Sequence, residues 1–274
     1  MLLYRTQRGV IAATGNDHVL LAESWDSLIG PPGLPERLHR LVAQGTAQAA
    51  FDVSEALVPL VSQEVWAAGV TYYRSRDARM AESEQAGGDS FYDRVYTAPR
   101  PELFFKGSAR TAVGNGAAIA IRSDASWNVP EPELVLLADS SGALIGCTIG
   151  NDVSSRDIEG ENPLYLPQAK VYDRSCALGP GVLVSAEPLP ASTAISLEIG
   201  RGGDTVFAGS TTLAELKRTP QELLGYLYLD NSFPHGCYLM TGTGIVPPDG
   251  FTLAAGDRVA ITIPAIGTLA NRVA

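Results

Sequence analysis

Three carboxylates and a lysine have the types and spacing of an oxygen-lined metal site. Glu131 and Glu133 lie two residues apart in VPEPELVLLAD, so their side chains leave the same face of an extended strand. Asp152 ends a second apolar run in TIGNDVSSRD, and Lys170 ends LPQAK. Carboxylate oxygens without thiolate or imidazole neighbours favour Mg²⁺, Mn²⁺ or Ca²⁺ over Zn²⁺.

The same Glu-x-Glu pair also fits a simpler interpretation. Taken alone, a pair with this spacing is more typical of the solvated face of an antiparallel strand. Its flank favours the metal site, because Leu134 to Ala138 form a continuous apolar run, and such a run predicts a strand that is covered on both sides. Two like charges beside a core of this kind are costly unless a cation or a proton compensates them.

Several sequence blocks, in this order, resemble the fumarylacetoacetate hydrolase family: GVTYY, PELFFKG, VPEPELVLL, GNDVSSRD with AKVYDRSCALGP, LMTGTG and GDRVAITIPAIGTLANRV. The resemblance covers nearly the whole chain. It implies a β-rich α+β fold, a mixed β-sandwich or roll with a small N-terminal domain. It also implies a divalent metal bound by Glu131, Glu133 and Asp152. By the same match, Lys170 contacts the metal-bound keto acid and Thr243 binds the substrate carboxylate.

One departure from the family pattern bears on the type of reaction. Hydrolases of the family carry a histidine shortly after the block that matches GVTYY, and this histidine works with a glutamate to activate water. Here the segment reads GVTYYRSRDARMAES, and the three histidines of the chain, His18, His39 and His235, lie elsewhere. This segment and NDVSSRDIEGENPLYLPQAK resemble the dehydratase branch of the family.

We therefore expect a hydro-lyase that converts a 2-keto-3-deoxy-pentonate to 2,5-dioxopentanoate, with Mg²⁺ as cofactor and Mn²⁺ or Ca²⁺ as alternatives. Lys170 would remove a proton from C3, and Glu102 would protonate the leaving C4 hydroxyl. Substrate hydroxyls or the carboxylate would be bound by Tyr73, Ser75 and Arg76. Two alternatives stay open: a hydrolase of acylpyruvates or 2,4-diketo sugar acids, and, in another class, a keto-acid-binding protein without turnover.

Charge and hydropathy limit the partners. A net charge of −10 and a pI near 4.8 argue against unspecific binding to nucleic acid or to anionic membranes. No window reaches the ~20 apolar residues of a membrane span. We expect a cytoplasmic protein that binds a small 2-keto acid and forms a homodimer or a dimer-based tetramer. Because this substrate is an anion, local basic residues must outweigh the overall charge, and the candidates are Arg74, Arg76, Arg79, Lys106, Arg110 and Lys170.

Apolar runs and turn signals predict two domains. LLYR, GVIAAT and HVLLAE alternate with turn residues, which predicts a small hairpin-rich domain over residues 1–65. Within it, PERLHRLVAQ predicts a helix with proline in its first turn. Residues 66–274 form the predicted catalytic domain, in which short strands such as ELFFKG, ELVLLA and LIGCTIG predominate. The three cysteines have apolar or small neighbours and predict buried thiols.

Overall fold

The computed structural model describes residues 1–48, 51–72 and 95–274, and strands predominate among them. The predicted β-rich class is confirmed. The strands of the first half are Leu2–Thr6 (β1), Gly9–Thr14 (β2), Asp17–Leu21 (β3), Thr46–Gln48 (β4), Glu64–Gly69 (β5), Glu102–Ser108 (β6), Ala112–Val113 (β7), Ala118–Ile119 (β8) and Asn128–Val129 (β9). Those of the second half are Pro132–Ala138 (β10), Leu144–Asp152 (β11), Ser154–Ser155 (β12), Cys176–Val184 (β13), Ala194–Arg201 (β14), Asp204–Thr212 (β15), Cys237–Met240 (β16), Arg258–Ile263 (β17) and Gly267–Val273 (β18).

One large mixed sheet joins strands from most of the chain. Its order is β4-β3-β2-β1-β13-β11-β10-β16-β5-β6, and β7 pairs with β13. A second sheet has the order β15-β14-β17-β18-β8, and β9 and β12 form a short pair. Because β1 pairs with β13, the N-terminal hairpins continue the large sheet. The boundary near residue 65 falls within β5, and the division into domains 1–65 and 66–274 stays a prediction.

Helices are short in the described part of the chain. The α-helices are Trp25–Ile29 (α1), Leu34–Gln44 (α2), Arg156–Glu161 (α3), Leu166–Lys170 (α4) and Pro220–Tyr228 (α5), and the 3-10 helices are Val53–Glu55, Pro163–Tyr165 and Leu213–Glu215. The predicted helix with an early proline is α2. At the start of α5, the Thr219 side chain accepts the N–H of Glu222, a donor that helix geometry leaves free. None of the described helices is long and apolar enough to cross a membrane.

The middle of the large sheet is buried on both faces, which explains the continuous apolar run of β10. Every residue of this strand is buried. Leu134 and Leu136 belong to a core shared with the second sheet and α5, whereas Val135 and Leu137 belong to a core shared with α1 and α2. Successive side chains therefore enter two different apolar layers, so both layers need apolar residues.

The cysteines are free and buried, as the sequence predicts. Burial raises the pKa of the Cys147 and Cys176 thiols to about 12. It also raises the pKa of Cys237. Since the thiolate is the reactive form of cysteine, these thiols are inert at neutral pH.

Candidate metal centre and active site

The three predicted metal ligands meet at one end of the large sheet. Glu133 lies in β10, Glu131 directly precedes this strand, and Asp152 ends β11. Pro132 lies opposite Asn151 in the antiparallel pair, so Asp152 faces Glu131 and donates its backbone N–H to the Glu131 carbonyl at 3.0 Å. One carboxylate oxygen from each of the three residues lies within 4.8 Å of the others. This spacing fits one ion, because oxygen ligands lie about 2.0–2.6 Å from Mg²⁺ or Ca²⁺.

The electrostatics of the cluster favour a bound cation. Glu131, Glu133 and Asp152 have exposed fractions of only 5%, 1% and 1%. Burial, followed by the charges of Asp152 and Glu131, raises the pKa of Glu133 well above its usual range. The charge of Lys170 and the N–H of Gly242, which donates to Glu133 Oε2 at 2.6 Å, lower it. Ionisation of Glu133 therefore requires further positive charge, and a hard dication fits these hard oxygen donors.

Lys170, which was predicted to contact the keto acid, lies between the carboxylates of the cluster. It ends α4, and its side chain is 1% exposed. Its Nζ donates to Glu131 Oε2 at 2.6 Å and to Asp152 Oδ2 at 3.1 Å, and it lies 3.6 Å from Glu159 Oε1. The same nitrogen lies 5.8 Å from the centre of the Phe104 ring on β6. A lysine in direct contact with two metal-binding carboxylates is placed to exchange a proton with a ligand of that metal.

Two further buried cations contact the cluster. Lys106 on β6 is 0% exposed, and its Nζ lies 2.5 Å from Asp152 Oδ1. Arg156, the first residue of α3, donates from Nη2 to Glu131 Oε1 at 2.8 Å, and its Nε lies 3.8 Å from Glu159 Oε2. The sequence named Lys106 only as one of several basic candidates and gave Arg156 and Glu159 no place in the site.

Glu102 and Thr243 lie on segments that contact the cluster. Glu102 begins β6 and is half-buried, and by strand alternation its side chain shares a face with Phe104. Its carboxylate packs against Gly69 of β5, where a Cβ atom would collide with Glu102 Oε2. Thr243 is 3% exposed and directly follows Gly242, and its hydroxyl accepts the N–H of Ile245 at 3.2 Å.

Of the other predicted contributors, only Arg110 belongs to the described residues. Tyr73, Ser75 and Arg76, which were predicted to bind substrate, lie outside the described residues, as do Arg74 and Arg79. Arg110 is exposed and pairs with exposed Asp173 at 2.8 Å.

Tyr72, which the sequence did not single out, belongs to the surroundings of the cluster. It is 1% exposed. Burial, followed by the negative charges of Glu133 and Glu215, raises its pKa. The only sequence signal for this position is its place in the GVTYY block, next to the predicted substrate-binding residues.

The histidines of the chain take no part in the carboxylate cluster. His39 and His235 are exposed, and His18 is half-buried with its ring 5.8 Å from that of Phe51. All three histidines belong to the described ranges, and residues 49–50 and 73–94 contain no histidine in the sequence. The predicted lack of a water-activating histidine at this site agrees with this arrangement.

The chain is similar to known proteins over most of its length. The family model described as fumarylacetoacetate (FAA) hydrolase C-terminal matches residues 78–274. A probable 2-keto-3-deoxyxylonate dehydratase of Haloferax volcanii is 46% identical over 242 residues, which are 86% of this chain and 82% of that protein. The 2-dehydro-3-deoxy-D-arabinonate dehydratase of Saccharolobus solfataricus is 46% identical over 214 residues, 77% of this chain and 72% of that protein.

A solved structure extends the similarity to the fold. It is described as 2-keto-3-deoxy-D-arabinonate dehydratase complexed with magnesium and 2,5-dioxopentanoate. It matches with a TM-score of 0.86 and 36% identity, over 100% of this chain and 98% of that one. The predicted fumarylacetoacetate hydrolase-like fold is confirmed, and the chain belongs to the fumarylacetoacetate hydrolase family.

Proposed function

We propose that this protein is a magnesium-dependent hydro-lyase that converts a 2-keto-3-deoxy-pentonate to 2,5-dioxopentanoate. The observation that carries the proposal is the buried cluster of Glu131, Glu133 and Asp152, which contacts Lys170 but no histidine. The two relatives that are 46% identical are named as dehydratases of such acids. The solved relative with a TM-score of 0.86 holds both magnesium and the proposed product.

In the first step Lys170 takes a proton from C3 of the substrate. A cation held by Glu131, Glu133 and Asp152 supplies an electrophile that makes this C–H bond more acidic. Neutralising these carboxylates also removes part of the attraction that holds Lys170 as an ammonium, which favours the neutral amine needed in a base. The Nζ atom of Lys170 lies 2.6 Å from Glu131 Oε2 and 3.1 Å from Asp152 Oδ2. A sugar acid bound at this cluster therefore lies beside the amine.

Glu102 acts as the acid for the departing hydroxyl. It donates a proton to the oxygen on C4, so water leaves and a double bond forms between C3 and C4. A proton then moves from C5 to C3, which leaves an enol between C4 and C5. This enol takes up a proton at C4 and releases the proton of its C5 hydroxyl. The product is a C5 aldehyde, and the overall change is the loss of one water without net oxidation or reduction.

Substrate recognition is assigned to Thr243 and to the segment that holds Tyr73, Ser75 and Arg76. Thr243 follows Gly242, and the backbone N–H of Gly242 donates to the carboxylate of Glu133. The hydroxyl of Thr243 is therefore next in sequence to a residue that contacts a proposed metal ligand. The Tyr73 segment begins next to Tyr72, which is buried near the charge of Glu133. We propose that these groups bind the carboxylate and the hydroxyls of the sugar acid.

The 2-keto-3-deoxy-pentonate substrate has a single stereocentre. Xylonate and arabinonate of the D series differ at C2 and C3, and neither carbon is a stereocentre in the 2-keto-3-deoxy acid. The names of the two dehydratase relatives are therefore compatible with the same compound, and C4 alone distinguishes D from L substrates.

Proton NMR of the purified protein in MgCl₂ tests the proposal. Both C4 enantiomers of 2-keto-3-deoxy-pentonate and acetylpyruvate are supplied separately. We expect the aldehyde signal of 2,5-dioxopentanoate from one enantiomer in preference to the other, and intact acetylpyruvate. Release of pyruvate from acetylpyruvate at a rate that equals or exceeds dehydration would assign a hydrolase. Binding of these acids without any turnover would assign a binding protein.

We also propose that the protein acts in sugar acid catabolism in the cytoplasm, as a homodimer or a dimer-based tetramer. Three free, buried cysteines are consistent with a reducing compartment. Leu164 and Leu229 have exposed fractions of 83% and 60%, and a partner subunit would cover apolar groups of this kind. Light scattering after gel filtration measures the mass, and a particle of 28.9 kDa would contradict the assembly.

A further inference from the structure

The ammonium group of Lys106 is enclosed by protein oxygen atoms. Its Nζ lies 2.5 Å from Asp152 Oδ1 and donates to the Val153 carbonyl at 3.1 Å and to the carbonyl of Lys170. An ammonium group has three N–H donors. Two of them bond to the backbone carbonyls, and the contact with Asp152 Oδ1 is an ion pair. Lys106 is 0% exposed, so protein atoms enclose its ammonium group.

These contacts join the three elements that carry the proposed chemistry. Lys106 lies on β6 four residues after Glu102, at a β-bulge in the pairing with β5. Asp152 ends β11 and Lys170 ends α4. Asp152 is held by one ammonium group on each oxygen, because Lys170 Nζ lies 3.1 Å from Oδ2 while Lys106 holds Oδ1. The ammonium of Lys106 thus fixes both a metal-binding carboxylate and the backbone of the proposed base.

We propose that Lys106 is a positioning residue that orients Asp152 toward the metal and fixes Lys170 relative to Glu102. The inference rests on the proposed function, because it takes Asp152 as a metal ligand and Lys170 as the base. Groups that orient metal ligands typically contribute about 10- to 100-fold to metal affinity or activity. A purely electrostatic role has the opposite sign, since removing a positive charge near a cation strengthens the binding of that cation.

The variant Lys106→Met separates these two effects. It removes the charge and all three donors and keeps an unbranched side chain of similar length. Calorimetry should show a magnesium Kd about 10- to 100-fold higher than in the wild type. At saturating magnesium, kcat should fall by a similar factor, while KM for the sugar acid should stay within about threefold, because protein atoms enclose the ammonium group of Lys106. If the Met variant does not fold, Lys106→Gln is measured instead, with the same direction of change in Kd.

Arg201→Met is the matched control. Arg201 is 43% exposed and lies 2.7 Å from Asp257, which is fully buried, so this variant also removes the cation that pairs with a buried carboxylate. We expect an unchanged magnesium Kd and an unchanged kcat, even with a lower melting temperature. General destabilisation would affect both variants, whereas a positioning role affects only Lys106.

The outcomes separate this inference from the proposed function. Magnesium binding and dehydration by the wild type are measured first, and the absence of either would refute the proposed function. With both present, unchanged or tighter magnesium binding by a folded Lys106 variant would overturn the positioning role. A large increase in KM with normal kcat would also overturn it, since Lys106 would then contact the substrate.

Discussion

Replacing Glu133 with Gln separates the charge of one proposed metal ligand from its shape. The amide oxygen of Gln can still accept the N–H of Gly242, which lies 2.6 Å from Glu133 Oε2. The variant removes one negative charge from a cluster in which one oxygen of each carboxylate lies within 4.8 Å of the others. Two unit charges at this distance interact by about 3.5 kcal/mol at an effective dielectric constant of ~20. The variant loses repulsion from Glu131 and Asp152 and loses attraction to Lys170.

Without metal, we expect Glu133→Gln to be at least as stable as the wild type, with a difference that depends on pH. The pKa of Glu133 in the folded protein is raised, chiefly by burial and then by Asp152 and Glu131. The protonated carboxyl of Glu133 therefore makes its full contribution to the free energy of unfolding below the unfolded-state pKa of about 4.3. This contribution is lost as the pH rises through the folded-state pKa. In EDTA, the wild type should lose stability relative to Glu133→Gln as the pH increases.

With magnesium, the order of stability should reverse. A ligand at 100 times its Kd stabilises the folded state by about 2.7 kcal/mol, which is ~5–10 °C in melting temperature for a chain of this size. We expect the wild type to gain this amount and Glu133→Gln to gain less than about 1 °C, because it lacks one anionic ligand.

Calorimetry measures the magnesium Kd of each variant. Glu198→Gln, on the exposed side of β14, is the matched control. Equal magnesium binding by wild type and Glu133→Gln would place the metal elsewhere, and a clear loss of stability in EDTA would refute the repulsion argument.

Three further variants test the proposed chemistry. Lys170→Met should abolish turnover, and in EDTA it should cost about 3 kcal/mol in unfolding free energy, because it leaves buried carboxylates without a partner; full activity would remove Lys170 from the mechanism. Glu102→Gln should lower kcat about 10²- to 10⁴-fold with an unchanged magnesium Kd, whereas weaker metal binding would make Glu102 a ligand. Gly69→Ala should lower kcat in the same way, since its Cβ would displace the Glu102 carboxylate; normal turnover would show that this carboxylate need not be held in place.

The convergence of the metal ligands could be predicted because it depends on local geometry. Glu131 and Glu133 are two residues apart, and a strand places such side chains on one face. The register that brings Asp152 opposite Glu131 pairs Pro132 with Asn151. It is set by the turn at residues 139–143 that joins β10 to β11, and the periodicity of the strands alone does not give it. In this case the order of blocks shared with the family supplied what periodicity could not.

The buried cations were harder to assign because long side chains reach distant elements. Lys106 on β6 contacts the end of β11, and Arg156 on α3 contacts the residue before β10. Their sequence neighbours do not reveal these partners. The presence of Glu102 and Lys106 in one block, PELFFKG, was a usable signal that both lie near one site. Alternation alone could not assign Lys106, because a β-bulge interrupts the strand at this residue.

The N-terminal hairpins show the same limit for the fold. Turn residues predict the pairs β1–β2 and β2–β3, since a hairpin is set by its own loop. The pair of β1 with β13 joins Leu2 to Leu183, and no turn connects them. The place of β1–β4 in the large sheet was therefore absent from the sequence pattern, which predicted β1, β2 and β3 but not the short strand β4.

Charge balance explains how an acidic chain can receive an acidic substrate. The net charge of −10 repels anions at long range, but salt screens exposed charges over about 8 Å and screens buried charges much less. Among the described residues, the site buries four carboxylates and three cations: Glu131, Glu133, Asp152, Glu159, Lys106, Arg156 and Lys170. With all seven groups ionised their formal charge is −1, and with Glu133 protonated, as its raised pKa favours without metal, the charge is 0. A dication bound to the fully ionised set gives +1, and a 2-keto acid monoanion then makes the site neutral, so the buried charges attract the acid only when the metal is bound.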